Sequence, residues 1–167
     1  KLLFEEYDYC LNLGGFSNIS FEKNGQRIAF DICPCNIVLN YLAREKNMKF
    51  DKDGDMARQG MVCRDLENGL DGLEYYSIDP PKSLGKEWFI ENFVPVLKNS
   101  DISVEDKLRS VTEHIATQIS KTFEDNSDRK VLTTGGGAYN KFLIETIQKK
   151  SKAKIIIPDP LIIDYKE

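Results

Sequence analysis

Asn24-Gly25 stands between two short strand-forming segments, Ser17–Glu22 and Gln26–Asp31. A type I′ turn needs positive φ at both of its central residues, and Asn-Gly supplies that most readily. The dipeptide therefore predicts a two-residue hairpin and commits this part of the chain to antiparallel pairing. A further strand, Tyr7–Leu13, precedes Gly14-Gly15, so the chain is expected to open as a three-stranded antiparallel meander. Pro34 falls where a first helical turn tolerates it, and Asn36–Lys46 carries apolar residues at 37, 38, 41 and 42.

The middle reads as helical and irregular. Asp55–Leu70 predicts a helix ended by Gly69 to Gly72, and Asp79-Pro80-Pro81 blocks regular structure. Gly85–Leu97 and Ser103–Phe123 are further helices, with Pro95 expected to kink or shorten the first. Ser103 with Asp106 resembles a capped start, and Val104, Leu108, Val111, Ile115 and Ile119 form one apolar stripe. The period then changes. Lys130–Thr134 is a β-branched strand, Gly135-Gly136-Gly137 a turn, Ala138–Lys150 a helix and Ala153–Ile157 a strand stopped by Pro158. Strand–helix–strand with a short connection implies parallel pairing.

Composition narrows the function classes. The 167 residues suit one globular domain. A formal net charge of −4 argues against nucleic acid as a partner, because neutralising phosphates needs a basic face. No apolar run approaches the roughly 20 residues that span a bilayer, and no secretory leader is visible, so a cytoplasmic domain is expected. Cys10, Cys33, Cys35 and Cys63 lack metal-type or disulfide-type spacing and read as buried reduced thiols. The start at Lys1 and the close at Asp164-Tyr165-Lys166-Glu167 read as cuts inside a longer protein.

Two glycine turns are the places where chemistry could sit. In Asn12-Leu13-Gly14-Gly15-Phe16-Ser17-Asn18, bare main chain at a hairpin tip can cradle an anion, and Asn12, Ser17 and Asn18 add uncharged donors. An ordinary turn is the plainer alternative. In Thr134-Gly135-Gly136-Gly137-Ala138-Tyr139-Asn140, a strand runs into glycines and then a helix, which offers free N–H groups to an anion and a bare surface to a flat base. Neither the dinucleotide-binding G-x-G-x-x-G spacing nor the P-loop Lys-Ser/Thr is present. Asp31, at a strand end, can hold a metal-bound water or a sugar hydroxyl; helix capping is its duller role. Asp51-Lys52-Asp53-Gly54-Asp55 is not a calcium loop, because glycine falls at the fourth position and Val62 stands at the twelfth. Pro81–Glu87 is either a substrate loop or a turn before a helix, and His114 reads as a packed or half-exposed helix residue.

The order of these parts resembles a ribonuclease H-like α/β domain: three antiparallel strands, a helix, a helical insertion, then strand–helix–strand. Such a domain is one lobe of the sugar kinase, actin and Hsp70 superfamily, in which two lobes clamp ATP. More narrowly, the chain resembles the C-terminal domain of the anhydro-N-acetylmuramic acid kinases. The likeness rests on Leu11–Asn18, Asp31–Asn36, Phe50–Gly54 with Ala57–Gly60, Pro81–Phe89, Gly135–Asn140 and Asp164–Glu167. That family uses ATP and Mg²⁺ to open a 1,6-anhydro ring with water and phosphorylate the freed 6-hydroxyl during peptidoglycan recycling.

The resemblance implies a division into a meander and helix (1–46), a helical insertion (47–123) and an adenosine-side unit (124–167). It implies that Asn12, Gly14, Gly15, Ser17 and Asn18 lie near the ATP phosphates, and Gly135, Gly136, Gly137 and Asn140 near the nucleoside. Asp31 would sit near Mg²⁺, through water, or near the sugar; Lys82, Ser83, Glu87 and Glu167 would serve the anhydro-amino-sugar side. The catalytic aspartate and first phosphate loop belong to the family's N-terminal lobe, so no catalytic residue is assigned here and the isolated chain is expected to be inactive. That lobe is the expected partner, and the cleft face bared without it makes a homodimer a further expectation. Where the family has Asp-Thr-Gly-Pro-Gly-Asn, this chain has Asp31-Ile32-Cys33-Pro34-Cys35-Asn36, and the bulkier cysteines are expected to close space for a ligand. Leu84 and Lys86 replace a threonine and an arginine, and lysine cannot form a bidentate fork. A kinase of another sugar, and a non-catalytic lobe with a vestigial pocket, are the alternative readings.

Overall fold

Asn24 and Gly25 take φ values of 52° and 76°, and the hairpin they close joins β2 (Phe16–Lys23) to β3 (Gln26–Pro34). The computed structural model describes residues 6–123 and 129–159. β1 (Tyr9–Leu13) pairs antiparallel with β2, and β4 (Lys130–Thr134) and β5 (Lys154–Ile156) add in parallel on the other side. The sheet order is β3-β2-β1-β4-β5. β1 and β4 therefore end side by side, and the hairpin tip and the β4 turn leave the sheet at the same edge. β3 runs through Pro34, so that proline closes a strand instead of opening a helix.

Strand alternation sends Tyr9, Leu11 and Leu13 of β1 and Ile19 of β2 into the core. The longest helix, α6 (Val104–Ser120), packs against α1 (Asn36–Arg44), α2 (Asp55–Gln59), α3 (Arg64–Asp71), α7 (Lys141–Lys150) and β3. Its stripe of Leu108, Val111, Ile115 and Ile119 is fully buried, each side chain contributing about 1.5–3 kcal/mol of apolar transfer. Ser103 caps it, its Oγ accepting from the Asp106 amide at 3.1 Å.

The single helix expected over Asp55–Leu70 is two, α2 and α3. The break falls at Gly60, which is extended (ψ 164°) and lies so close to α6 that a Cβ there would collide with the Glu105 carbonyl. α6 also takes the amides released by the break: Met61 donates to Asp106 Oδ1 at 2.6 Å and Cys63 to Ser110 Oγ at 2.8 Å. Gly69 lies inside α3, and Gly72 ends it. Around Pro95, α4 (Lys86–Trp88) and α5 (Val94–Lys98) are joined through a widened π turn at Phe89–Phe93. The turn accommodates a residue with no N–H and lets Phe89 and Phe93 reach the core.

His114 is buried and joins three elements. Its Nδ1 lies 2.7 Å from Asp71 Oδ1, which also accepts from Gln118 Nε2 at 2.8 Å, and its Nε2 lies 2.9 Å from the Tyr76 hydroxyl. The His114 hydrogen bond holds the Asp71 carboxyl below the usual carboxylate range, with burial opposing it. A carboxylate with a pKa lower folded than unfolded stabilises the fold above about pH 4 and loses that contribution as pH falls through the folded value.

Two outcomes are expected. Asp71→Asn lowers the urea midpoint at neutral pH, and its gap from the parent shrinks as pH is taken below about 4. Gly60→Ala costs roughly 2 kcal/mol or more in the same unfolding measurement, because the obstacle is main chain and cannot move aside.

Candidate functional site

The geometry begins with the β1–β2 tip. Gly15 is exposed, and nothing lies within 4 Å of where a Cβ on it would stand. The tip's carbonyls are held from behind by the first turn of α1. Asn36 N–H donates to Gly14 O at 3.1 Å, and Cys35 N–H and Ile37 N–H donate to Gly15 O at 2.9 and 3.1 Å. Among the described residues, the Gly14 and Gly15 amides donate to no main-chain carbonyl outside the strand ladders. The start of α1 therefore serves the hairpin and is not itself an anion site.

The second turn meets the first. Gly135 has φ 81°, and a Cβ on it would strike Asn12 Oδ1 and come within 2.8 Å of the Leu13 carbonyl carbon. A Cβ on Gly137 would stand 2.7 Å from Leu13 Cβ and 2.9 Å from Leu13 O. Only bare main chain fits at that distance. The helix expected from Ala138 begins later: Gly136–Tyr139 is a 3₁₀ turn, and α7 starts at Lys141 with Asn140 as its cap, Oδ1 accepting from the Leu143 amide at 3.0 Å.

Beside the second turn, at Gly136, lies a cavity of about 480 Å³. Its walls are Asn36, Leu39 and Asn40 of α1, Phe50–Asp53, and Gly136, Tyr139 and Asn140. That volume and mixture of aromatic, aliphatic and neutral amide groups suit a nucleoside-sized ligand. Phe50 and Tyr139 are both about half exposed and offer flat faces at its edge. The Phe50–Asp53 wall is anchored by Asp51, whose carboxylate accepts from the amides of Met56 (2.9 Å) and Ala57 (3.0 Å) and so fixes the start of α2. In the sequence this segment stood out as a failed calcium loop and as one of the stretches that carry the family resemblance, without a site role. Asn36, Leu39, Asn40, Phe50 and Tyr139 carried no signal of a shared cavity, since the fold alone brings them together.

The remaining candidates separate. By register, Asp31, Asn18, Asn12 and Thr134 form one row across β3, β2, β1 and β4. Ser17 leaves the set: it is fully buried, and its hydroxyl donates to the Cys33 carbonyl at 3.1 Å. Asp31 caps no helix. Its Oδ2 accepts from the Leu84 amide at 2.8 Å, its own amide donates to Lys82 O at 3.1 Å, and its carbonyl accepts from the Tyr75 hydroxyl at 2.5 Å. Lys82 Nζ donates to Tyr75 O at 3.0 Å and lies 4.5 Å from that ring's centre; burial lowers the ammonium pKa, with Asp79 opposing. This strap holds residues 82–84 on the β3 edge, and neither Lys82, Ser83 nor Glu87 lines the cavity. Ser83 and Glu87 are exposed. Glu167, with Asp164–Lys166, lies outside the described residues.

The cysteine loop also departs from expectation. Cys33 and Cys35 are fully buried members of the core cluster, so they fill core volume instead of narrowing the ligand space. Burial pushes the Cys33 thiol up to about 12 and Cys35 higher than normal as well, which keeps both protonated. All four cysteines are free, and no group of three or more His, Cys, Asp or Glu side chains converges among the described residues.

This sheet order, with its helices and two converging glycine turns, defines one lobe of the sugar kinase/actin/Hsp70-type fold. Solved structures agree at the level of fold. The activator of the 2-hydroxyisocaproyl-CoA dehydratase from Clostridium difficile matches with a TM-score of 0.55 at 15% identity, over 93% of this chain and 55% of that one. Component A of the (R)-2-hydroxyglutaryl-CoA dehydratase from Acidaminococcus fermentans matches at 0.56 and 13%, over 98% and 59%.

Sequence goes further. The family model for anhydro-N-acetylmuramic acid kinase matches residues 4–158, and the chain belongs to that family. It is similar to the anhydro-N-acetylmuramic acid kinase of Aliivibrio fischeri, 34% identical over 150 residues, covering 86% of this chain and 41% of the relative. The corresponding enzyme of Francisella tularensis subsp. novicida is 34% identical over 148 residues, covering 81% and 39%. The chain thus spans about two fifths of the length of these curated relatives.

The contacts at the turns set a stability contrast. Gly135→Ala is expected to cost roughly 2 kcal/mol or more in urea unfolding, whereas Gly15→Ala stays within about 0.5 kcal/mol.

Proposed function

We propose that this chain is the ATP-binding lobe of an anhydro-N-acetylmuramic acid kinase, acting in peptidoglycan recycling. The observation that carries the reading is the close contact of Gly135 and Gly137 with Asn12 and Leu13 at the end of β1, which sets the two glycine turns side by side, with Gly136 in the wall of a nucleoside-sized cavity. In this reading residues 1–46 supply the phosphate-side hairpin and residues 124–167 the adenosine-side turn. The insertion, 47–123, adds the Phe50–Asp53 wall.

The residues present fit a nucleotide. The Gly14 and Gly15 amides are donors suited to phosphate oxygens and add no charge that would have to be neutralised. Asn36, Asn40, Phe50, Gly136 and Tyr139 enclose the nucleoside. Mg²⁺ usually keeps several waters and takes one or two carboxylates besides the phosphates, a demand that Asp31 Oδ1 and the neighbouring Asn12 and Asn18 can meet through water. When bound, the ion neutralises charge that develops on the transferred phosphoryl group. Phosphoryl transfer further needs an activated water and an in-line hydroxyl acceptor, and the general base for that water belongs to the N-terminal lobe. The anhydro sugar docks between the lobes.

Two measurements on the isolated chain test the reading. Titration calorimetry with ADP gives a saturable heat, and incubation with ATP and the 1,6-anhydro sugar gives no phosphorylated product. Turnover by the chain alone overturns the split site; absence of any ADP heat overturns the nucleotide lobe.

A further inference from the structure

We infer that Asn36 is the positioning residue that aims the hairpin's amides at an anion, an inference that rests on the nucleotide reading above. Asn36 is the first residue of α1 and uses two separate donors on the tip. Its side-chain Nδ2 donates to Leu13 O at 2.9 Å, and its main-chain N–H donates to Gly14 O at 3.1 Å. A trans peptide is planar, with its C=O and N–H pointing in opposite directions. Fixing Leu13 O therefore fixes the Gly14 N–H, and fixing Gly14 O fixes the Gly15 N–H; both point away from α1. One asparagine thus orients both peptide planes of the Gly-Gly tip.

The tip needs such a restraint. Gly14 and Gly15 have no side chains to anchor them, and glycine readily adopts either sign of φ. A flipped peptide presents its oxygen where its N–H had been, so attraction for a phosphate becomes repulsion. The same side chain faces the second turn. Asn36 Oδ1 lies 3.3 Å from a Cβ position built on Gly137, and Nδ2 lies 3.5 Å from one built on Gly136. It also forms part of the cavity wall. Any change in the Asn36 side chain is therefore felt at both turns, while the helix it begins keeps its other tip contacts, Cys35 and Ile37 to Gly15 O.

The test compares the parent chain with Asn36→Ala, which removes the Nδ2 donor and keeps the main-chain one. Because Asn36 also lines the cavity, both ligands lose affinity, but ADP loses about tenfold more than adenosine, the scale of one hydrogen bond whose loss frees a phosphate-facing plane. An equal loss for both ligands, or no loss for either, overturns the inference. A second readout needs no ligand. The ¹⁵N order parameter of Gly14 falls from about 0.85 in the parent toward the flexible range below about 0.6 in the variant, while the α1 amides stay rigid. An unchanged Gly14 value, or melting of α1 as a whole, overturns the positioning role. If the parent chain binds neither ADP nor adenosine, the nucleotide reading fails by itself, and the relaxation data still decide whether Asn36 pins the tip.

Discussion

The end of β1 has no room for side chains on the neighbouring turn. Leu13 is wedged between Gly135 and Gly137, and every other feature of the site follows from that main-chain contact. It exists because β1 pairs in parallel with β4, in the register Asn12 to Thr134, so the two strands finish together at one edge of the sheet. With side chains at 135 or 137 the strands would have to part, and the cavity beside them would lose its floor.

What holds this edge in place is apolar packing some distance away. α6 packs on α1, and the start of that helix brings the amides of Cys35, Asn36 and Ile37 and the Asn36 side chain onto the hairpin carbonyls. Helix starts elsewhere often use their free N–H groups on a ligand. Here α1 uses them on the carbonyls of the hairpin tip. The second wall of the cavity is built in a similar way: Asp51 secures α2, α2 packs on α6, and Phe50 is carried to the edge of the pocket. The Tyr75–Lys82–Asp31 strap is a separate assembly on the far strand, β3, so residues 82–84 and the hairpin tip are held by different contacts.

Much of the sheet was legible because local chemistry decided it. Asn24-Gly25 dictated a turn with positive φ twice over, and Lys130–Thr134 was bounded by charge on one side and glycine on the other. Elements set by distant contacts were not legible. Nothing local in Asp55–Leu70 says that the helix must break at Gly60; the close approach of the Glu105 carbonyl, 45 residues on, and the Asp106 and Ser110 side chains that take the freed amides belong to α6. The same holds for Ser17 and Cys33, which pair across β2 and β3 beside the register shift at Ser17/Asn18 and both turn inward. Of the site, the two glycine turns could be read directly. Asn36 could not, because its role depends on the direction of a side chain at a helix start, and sequence spacing carries no such information.

The chain belongs to the anhydro-N-acetylmuramic acid kinase family and spans about two fifths of the length of the curated relatives it matches. The central claim is that both glycine turns serve one nucleotide. It is tested most directly by titrating ¹⁵N-labelled chain with ADP and following individual amide resonances. The account predicts that Gly14, Gly15, Gly136 and Gly137 shift together along a single binding curve. Shifts confined to one turn, or two turns that respond with different dissociation constants, would contradict it.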